Sequence, residues 1–195
     1  MAEARYRGEV VKLDRGYPLV RLEDGELLRC EHATALVKGE RRRAVIGDVV
    51  EVAVPPAHDK GVIEAIAPRA REFVRKDPTE RAVPQVLAAN FERVIVAQPV
   101  GEVNLRRLER ELVLAFETGA EVTVVLTKAD LADDAATRAT VEAVRALAAP
   151  AADVLVVSED DPASVEDVRA LLAPGTTTVL IGRSGVGKSS LVNML

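Results

Sequence analysis

Residues Gly182-Arg183-Ser184-Gly185-Val186-Gly187-Lys188-Ser189 satisfy the spacing G-x-x-x-x-G-K-[ST] at every fixed position. Glycines in such a loop let the backbone curl into a nest whose N–H groups point inward at phosphate oxygens. Lys188 brings a positive charge to the β- and γ-phosphates of a nucleotide, and the Ser189 hydroxyl is an oxygen ligand for Mg²⁺. The strand-like run Thr177–Ile181 precedes the loop, and Ser190 leads into the apolar start of a helix, Leu191-Val192-Asn193-Met194-Leu195. A Gly/Ser-rich turn that matched by chance would lack this setting.

A phosphate loop does not choose between ATP and GTP. Thr127-Lys128-Ala129-Asp130 bears on that choice, because it follows the strand-like run Glu121–Leu126, and open α/β sheets bind ligands at the carboxyl ends of their strands. There the Asp130 carboxylate can accept from guanine N1–H and N2–H₂ together. Adenine offers no such donor pair, and the Lys128 stem can lie along the base. Taken alone, Lys-x-Asp is equally a solvated turn before a helix. Ser158 ends the next strand, Asp153–Val157, and its surroundings either offer backbone N–H groups to guanine O6 or simply cap a loop. Glu159-Asp160-Asp161 behind it matches O6 poorly in charge.

These residues need a scaffold, and the pattern supplies one. Phe91–Ala97, Glu121–Leu126, Val154–Val157 and Thr177–Ile181 read as strands. Between them lie a helix capped by Asn104 and ended by Gly119, a helix over Thr137–Ala149 stopped at Pro150, and a short one over Ser164–Leu172. Alternating strands and helices predict a parallel sheet covered on both faces. The earlier chain differs: Arg5–Leu13, Tyr17–Leu22, Glu26–Cys30, Val49–Val54 and Val62–Ile66 are short strands separated by Gly- and Pro-bearing turns. Five such strands predict a small β-barrel of the OB or SH3-like kind.

Charge divides the chain at the same place. Residues 1–76 carry 15 basic and 13 acidic side chains, residues 77–195 carry 11 and 18. The expected layout is a barrel domain over 1–72, a Pro-bearing linker over 73–84 and an α/β domain over 85–195. With 48% hydrophobic residues, the chain has too much apolar material to be disordered. Aromatics at 3% argue against a base-stacking surface. One cysteine, Cys30, and two histidines, His32 and His58, exclude an internal disulfide and a multi-Cys zinc site. The charged start MAEARYRGEV is no signal peptide, and no run reaches the ~18 apolar residues of a membrane span. A cytoplasmic protein with no membrane partner is expected.

The order of the motifs is distinctive. Asp130 precedes Lys188 by 58 residues, the reverse of ordinary GTPases, and a barrel stands in front. In this circular permutation the chain resembles the ribosome small-subunit-dependent GTPase A family. The likeness runs through Gly47-Asp48-Val49-Val50, Pro68-Arg69, Ala89-Asn90-Phe91-Glu92-Arg93-Val94, Thr127-Lys128-Ala129-Asp130-Leu131 and Gly182 to Asn193. The resemblance implies an OB-fold domain that contacts the small ribosomal subunit and its rRNA, followed by a circularly permuted P-loop GTPase domain. It implies hydrolysis of GTP to GDP and phosphate with Mg²⁺ in late 30S subunit maturation. A monomer is expected. Thr127 stands where many relatives have Asn, and Glu159 where an Ala usually follows the Ser.

The resemblance also implies a Thr-rich switch, an Asp-x-Pro-Gly-type loop and a zinc-binding C-terminal domain, which these 195 residues do not contain. On that reading the GTPase domain is incomplete at its C-terminus. The family's zinc site is absent, no catalytic group is identified, and the chain alone is not expected to turn over. The P-loop strand is expected at a sheet edge. Two rival readings stand: a non-hydrolysing module that binds guanine nucleotide and rRNA, and a P-loop ATPase. Two basic runs are candidate rRNA contacts, Lys38 with Arg41-Arg42-Arg43, and Arg69 with Arg71, Arg75 and Lys76. Either run can equally be a solvated face.

Overall fold

The computed structural model describes residues 4–14, 16–39, 42–56, 59–75 and 85–195. Contacts divide the chain into two units, Met1–Asn90 and Phe91–Leu195. In the first, β1 (Ala4–Asp14), β2 (Tyr17–Leu22), β3 (Leu27–His32), β4 (Val49–Val54) and β5 (Gly61–Ile66) form a closed barrel in the order β1-β2-β3-β5-β4. The five expected strands are all present. The parallel pairing of β3 with β5, Cys30 opposite Gly61, lets the sheet close as an OB-like barrel. Alternation along the strands sends Val10, Val20, Leu22, Val50, Val52 and Ile63 inside, with Leu36 from the π-helical turn Ala35–Gly39.

The boundary differs from the expected linker over 73–84. Strands β6 (Glu72–Arg75) and β7 (Gln85–Ala89), which the pattern did not predict, pair antiparallel within the first unit, so the division falls after Asn90. Residues 76–84 lie outside the described residues. The hairpin is tied to the barrel loop at Gly47. A Cβ there would sit 1.9 Å from the Ala89 carbonyl oxygen, and its φ is +87°. Asn90 donates to the Gly47 carbonyl and accepts from Ala70 N–H.

Arg69 is not a free phosphate contact. Its side chain is 8% exposed and pairs with the wholly buried Asp48 at 2.7 and 2.8 Å, with Glu72 at 3.0 Å and with the Arg43 carbonyl. Asp48 also accepts from Val45 N–H. The Gly47-Asp48 and Pro68-Arg69 segments of the sequence likeness therefore meet in one buried ion pair. Arg42 and Arg43 remain partly or fully exposed; Arg41, Lys76 and the Arg75 side chain lie outside the described residues.

The second unit is an open sheet in the order β10-β9-β8-β11: β8 (Arg93–Pro99), β9 (Glu121–Thr127), β10 (Asp153–Val156) and β11 (Thr178–Ile181), all parallel. β8 and β9 are central and buried on both faces, which explains their continuous apolar runs. The helices are α1 (Leu105–Phe116), α2 (Asp134–Ala148), α3 (Pro162–Arg169) and α4 (Lys188–Met194). Asn104 caps α1, accepting from Arg107 N–H as expected. Asp133 and Asp161 cap α2 and α3, which start earlier than the apolar periodicity indicated. Val165, Val168 and Leu191 pack with Ile95 and Val125 on one face of the sheet. β11 lies on the edge, as expected. Among the described residues no helix is long and apolar enough to cross a membrane.

Candidate functional site

The phosphate loop begins where β11 ends. Gly182 runs so close to β8 that an added Cβ would lie 2.5 Å from the Ala97 carbonyl oxygen, and its φ of +140° suits only glycine. The loop then turns back through the buried Val186 to Gly187 and into α4. Lys188 folds over the loop, its Nζ donating to the carbonyls of Gly182 and Arg183 at 2.8 Å each. Ser189 and Ser190 are exposed in the first turn of α4. Arg169 holds the far end of that short helix by donating to the Met194 and Leu195 carbonyls.

β9 delivers the second motif. Thr127 is 4% exposed, and its hydroxyl reaches both the Val186 carbonyl of the phosphate loop and the Gln98 carbonyl at the end of β8. With one proton it donates to one of them at a time. Thr127 thus ties the loop after β9 to the phosphate loop, and Gly187 leaves room for it, since a Cβ there would stand 3.3 Å from Thr127 Oγ1. Lys128 takes a left-handed φ of +59°. That turn leads into a 3₁₀ turn, Ala129–Leu131, anchored by Ala129 N–H on the Val157 carbonyl.

The two motifs, 58 residues apart, share one cavity of about 200 Å³. Thr127, Lys128, Asp130, Gly187 and Ser190 line it, together with Leu131, Val157, Glu159 and Met194. Met194 carried a signal that periodicity could have shown: it lies one helical turn beyond Ser190 on α4. Ser158 is not among the lining residues. Its N–H goes to Ser164 Oγ, and its own hydroxyl accepts from Asp160 N–H. Arg183, Ser184, Gly185 and Val186 line a separate cavity of about 320 Å³ with Gln98, Asn104 and Arg107. There Gln98 and Arg107 both donate to Glu111, joining β8 to α1.

The histidine and cysteine have structural duties. His32 Nε2 accepts from Ala44 N–H at 2.9 Å, and burial, then the Arg43 charge, lower its pKa. Burial pushes the Cys30 thiol up to about 11, which leaves it unreactive in the barrel core. His58 lies outside the described residues.

A protein-family model described as RsgA GTPase matches residues 66–195. Over 195 residues the chain is 40% identical to the small ribosomal subunit biogenesis GTPase RsgA of Streptomyces avermitilis, covering 100% of this chain and 52% of that protein. It is 32% identical to the protein of the same name from Bordetella pertussis, again over the whole chain and over 62% of the relative. The crystal structure of YjeQ from Thermotoga maritima superposes with a TM-score of 0.77 at 27% identity, over 98% of this chain and 65% of that one. YloQ, described as a circularly permuted GTPase, shares the fold with a TM-score of 0.71 at 24% identity, over 97% and 64%. The chain spans about half the length of the first curated relatives it matches.

Proposed function

The chain belongs to the RsgA GTPase family, and from that premise we propose that its second unit binds a guanine nucleotide. The observation that carries the reading is the cavity lined by Thr127, Lys128 and Asp130 from one motif and by Gly187 and Ser190 from the other. Asp130 accepts from the base N1–H and N2–H₂, and the Lys128 stem lies along the ring. The loop's N–H groups cradle the phosphates. Lys188 meets them by exchanging its bonds to the Gly182 and Arg183 carbonyls for charge-assisted bonds to phosphate oxygens.

The donor set fits Mg²⁺ as a nucleotide-borne ion. Ser189 offers one exposed hydroxyl, and no group of three or more His, Cys, Asp or Glu suited to a metal occurs among the described residues. Ser189 would hold the ion, which would supply positive charge to neutralise the phosphoryl group. The names of the relatives carry GTP hydrolysis and biogenesis of the small ribosomal subunit. We assign both to this protein on that likeness, in the cytoplasm. For the first unit we infer contact with rRNA, supported by Arg42 and Arg43 on a cavity of about 630 Å³.

Calorimetric titration tests the reading. The wild-type chain is expected to prefer GDP over ADP. Lys188→Ala should weaken GDP binding about ten- to a hundredfold, the worth of a charge-assisted hydrogen bond. Asp130→Asn should shift preference from GDP towards XDP, because the new amide donates to the xanthine 2-carbonyl while its oxygen still accepts from N1–H. An unchanged GDP-to-XDP ratio would remove Asp130 as the base reader and leave the ATPase reading ahead. For the rRNA contact, Arg42→Ala with Arg43→Ala should reduce the log–log salt slope of subunit binding by about 0.7–0.9 per lost phosphate contact. An unchanged slope would make that face merely solvated.

A further inference from the structure

The loop that follows β10 lines the base cavity with an acidic residue, Glu159. Its backbone donors are already engaged: Val157 N–H on the Leu126 carbonyl, Ser158 N–H on Ser164 Oγ, Asp160 N–H on Ser158 Oγ, and Asp161 N–H on the Ser158 carbonyl. Pro162 has no N–H. Glu159 N–H points at Asp130 Oδ1, 3.4 Å away, the longest of these contacts. A purine 6-carbonyl can recruit that one donor only by displacing Asp130 from it. It would then lie beside Glu159, a residue that lines the same cavity.

From this arrangement we infer that Glu159 determines base specificity by eroding the discrimination between guanine and adenine that Asp130 sets. The inference rests on the reading of the cavity as a guanine site. The chemistry is a matter of donors and acceptors. Guanine presents an acceptor at position 6, so Glu159 opposes it with two lone-pair oxygens and no proton between them. Adenine presents an amine at the same position, which a carboxylate accepts. Asp130 rewards guanine at positions 1 and 2, and Glu159 rewards adenine at position 6. Lys128, the cation lining the cavity, moderates the charge of Glu159 but brings no acceptor for adenine and so does not reverse the sign at position 6.

Glu159 is exposed, so its replacement leaves the packing intact; thermal melting of each variant checks this. GDP and ADP are titrated calorimetrically into the wild-type chain, Glu159→Ala and Glu159→Gln. The GDP-to-ADP affinity ratio should rise about tenfold in Glu159→Ala, since one charge-assisted contact to adenine and one repulsion of guanine are lost. It should rise at least as far in Glu159→Gln, whose amide can donate to O6. Equal gains for both nucleotides would show that Glu159 acts only on phosphate charge, and the inference would fall. An unchanged ratio with binding intact would overturn it too, while leaving the guanine reading standing. Binding of neither nucleotide to the wild-type chain would overturn both.

Discussion

The barrel and the open sheet treat buried polar groups differently. In the barrel unit the buried polar residue among those described is Asp48, and every acceptor it turns inward is answered by Arg69 or Val45 N–H. The ring of strands closes, and its polarity closes with it. In the sheet, Thr123 is buried in the middle of β9 and accepts from Arg93 on the neighbouring strand, whereas Gln98 and Thr127 are buried at the carboxyl ends of β8 and β9 and their bonds lead outward, to α1 and to the phosphate loop. Internally closed polarity is architecture; polarity at open strand ends builds a site. A closed barrel has no strand edge to manage, whereas the open sheet carries its phosphate loop on the edge strand β11.

The largest effect is expected where the barrel's polarity is broken. Asp48→Ala leaves the Arg69 guanidinium buried without its main partner, and unfolding by denaturant should show a loss of about 3–5 kcal/mol. Adding Arg69→Met should recover part of it, because an apolar side chain no longer needs a partner. Failure to recover would place the loss in Asp48's bond to Val45 rather than in the ion pair. Arg69's pKa is raised, first by its hydrogen bond to Asp48. Its contribution is therefore complete below its ordinary pKa and is lost only as pH rises through the folded value, so it should be constant from pH 5 to 9.

In the sheet the matching test is Gly182→Ala. It places a methyl against the Ala97 carbonyl at a positive φ, at a cost of about 2–4 kcal/mol from strain and overpacking together. GDP binding should be lost with it. Gly185→Ala also has positive φ but meets nothing within 4 Å, so it should cost only about 1 kcal/mol. Equal effects would mean that close approach to β8 does not position the loop.

The smallest effect is a pH dependence of the barrel. His32 accepts Ala44 N–H as a neutral ring, and its folded pKa lies below the ordinary 6.5. As pH falls, the unfolded chain takes up this proton first, so stability is lost from about pH 6.5 down to the folded value and is complete above that window. Unfolding midpoints at pH 7.5 and 5.5 should differ more for the wild type than for His32→Gln. Identical differences would mean that His32 does not couple to folding.

Much of this was written in local pattern. Strand and helix periods mark nine of the eleven strands and the three helices before α4, because half-buried and fully buried elements leave period-2, period-3.6 or continuous apolar signatures that need no partner to be read. The phosphate loop was legible for the same reason: its chemistry is contiguous. What lay beyond the sequence depends on who meets whom. The β6–β7 pairing is short and weakly patterned and acquires its role only by docking beside Gly47. Arg69 reads as one more surface cation until Asp48, 21 residues away, claims it. Thr127 reads as a weakened base contact until its hydroxyl meets Val186, 59 residues on. Ser158 and Glu159 are neighbours in sequence, yet only the turn back towards Asp130 decides which of them lines the cavity. Periodicity is a property of one segment, whereas ion pairs, close approaches and cavities are properties of two, and only the folded chain brings the second one within reach.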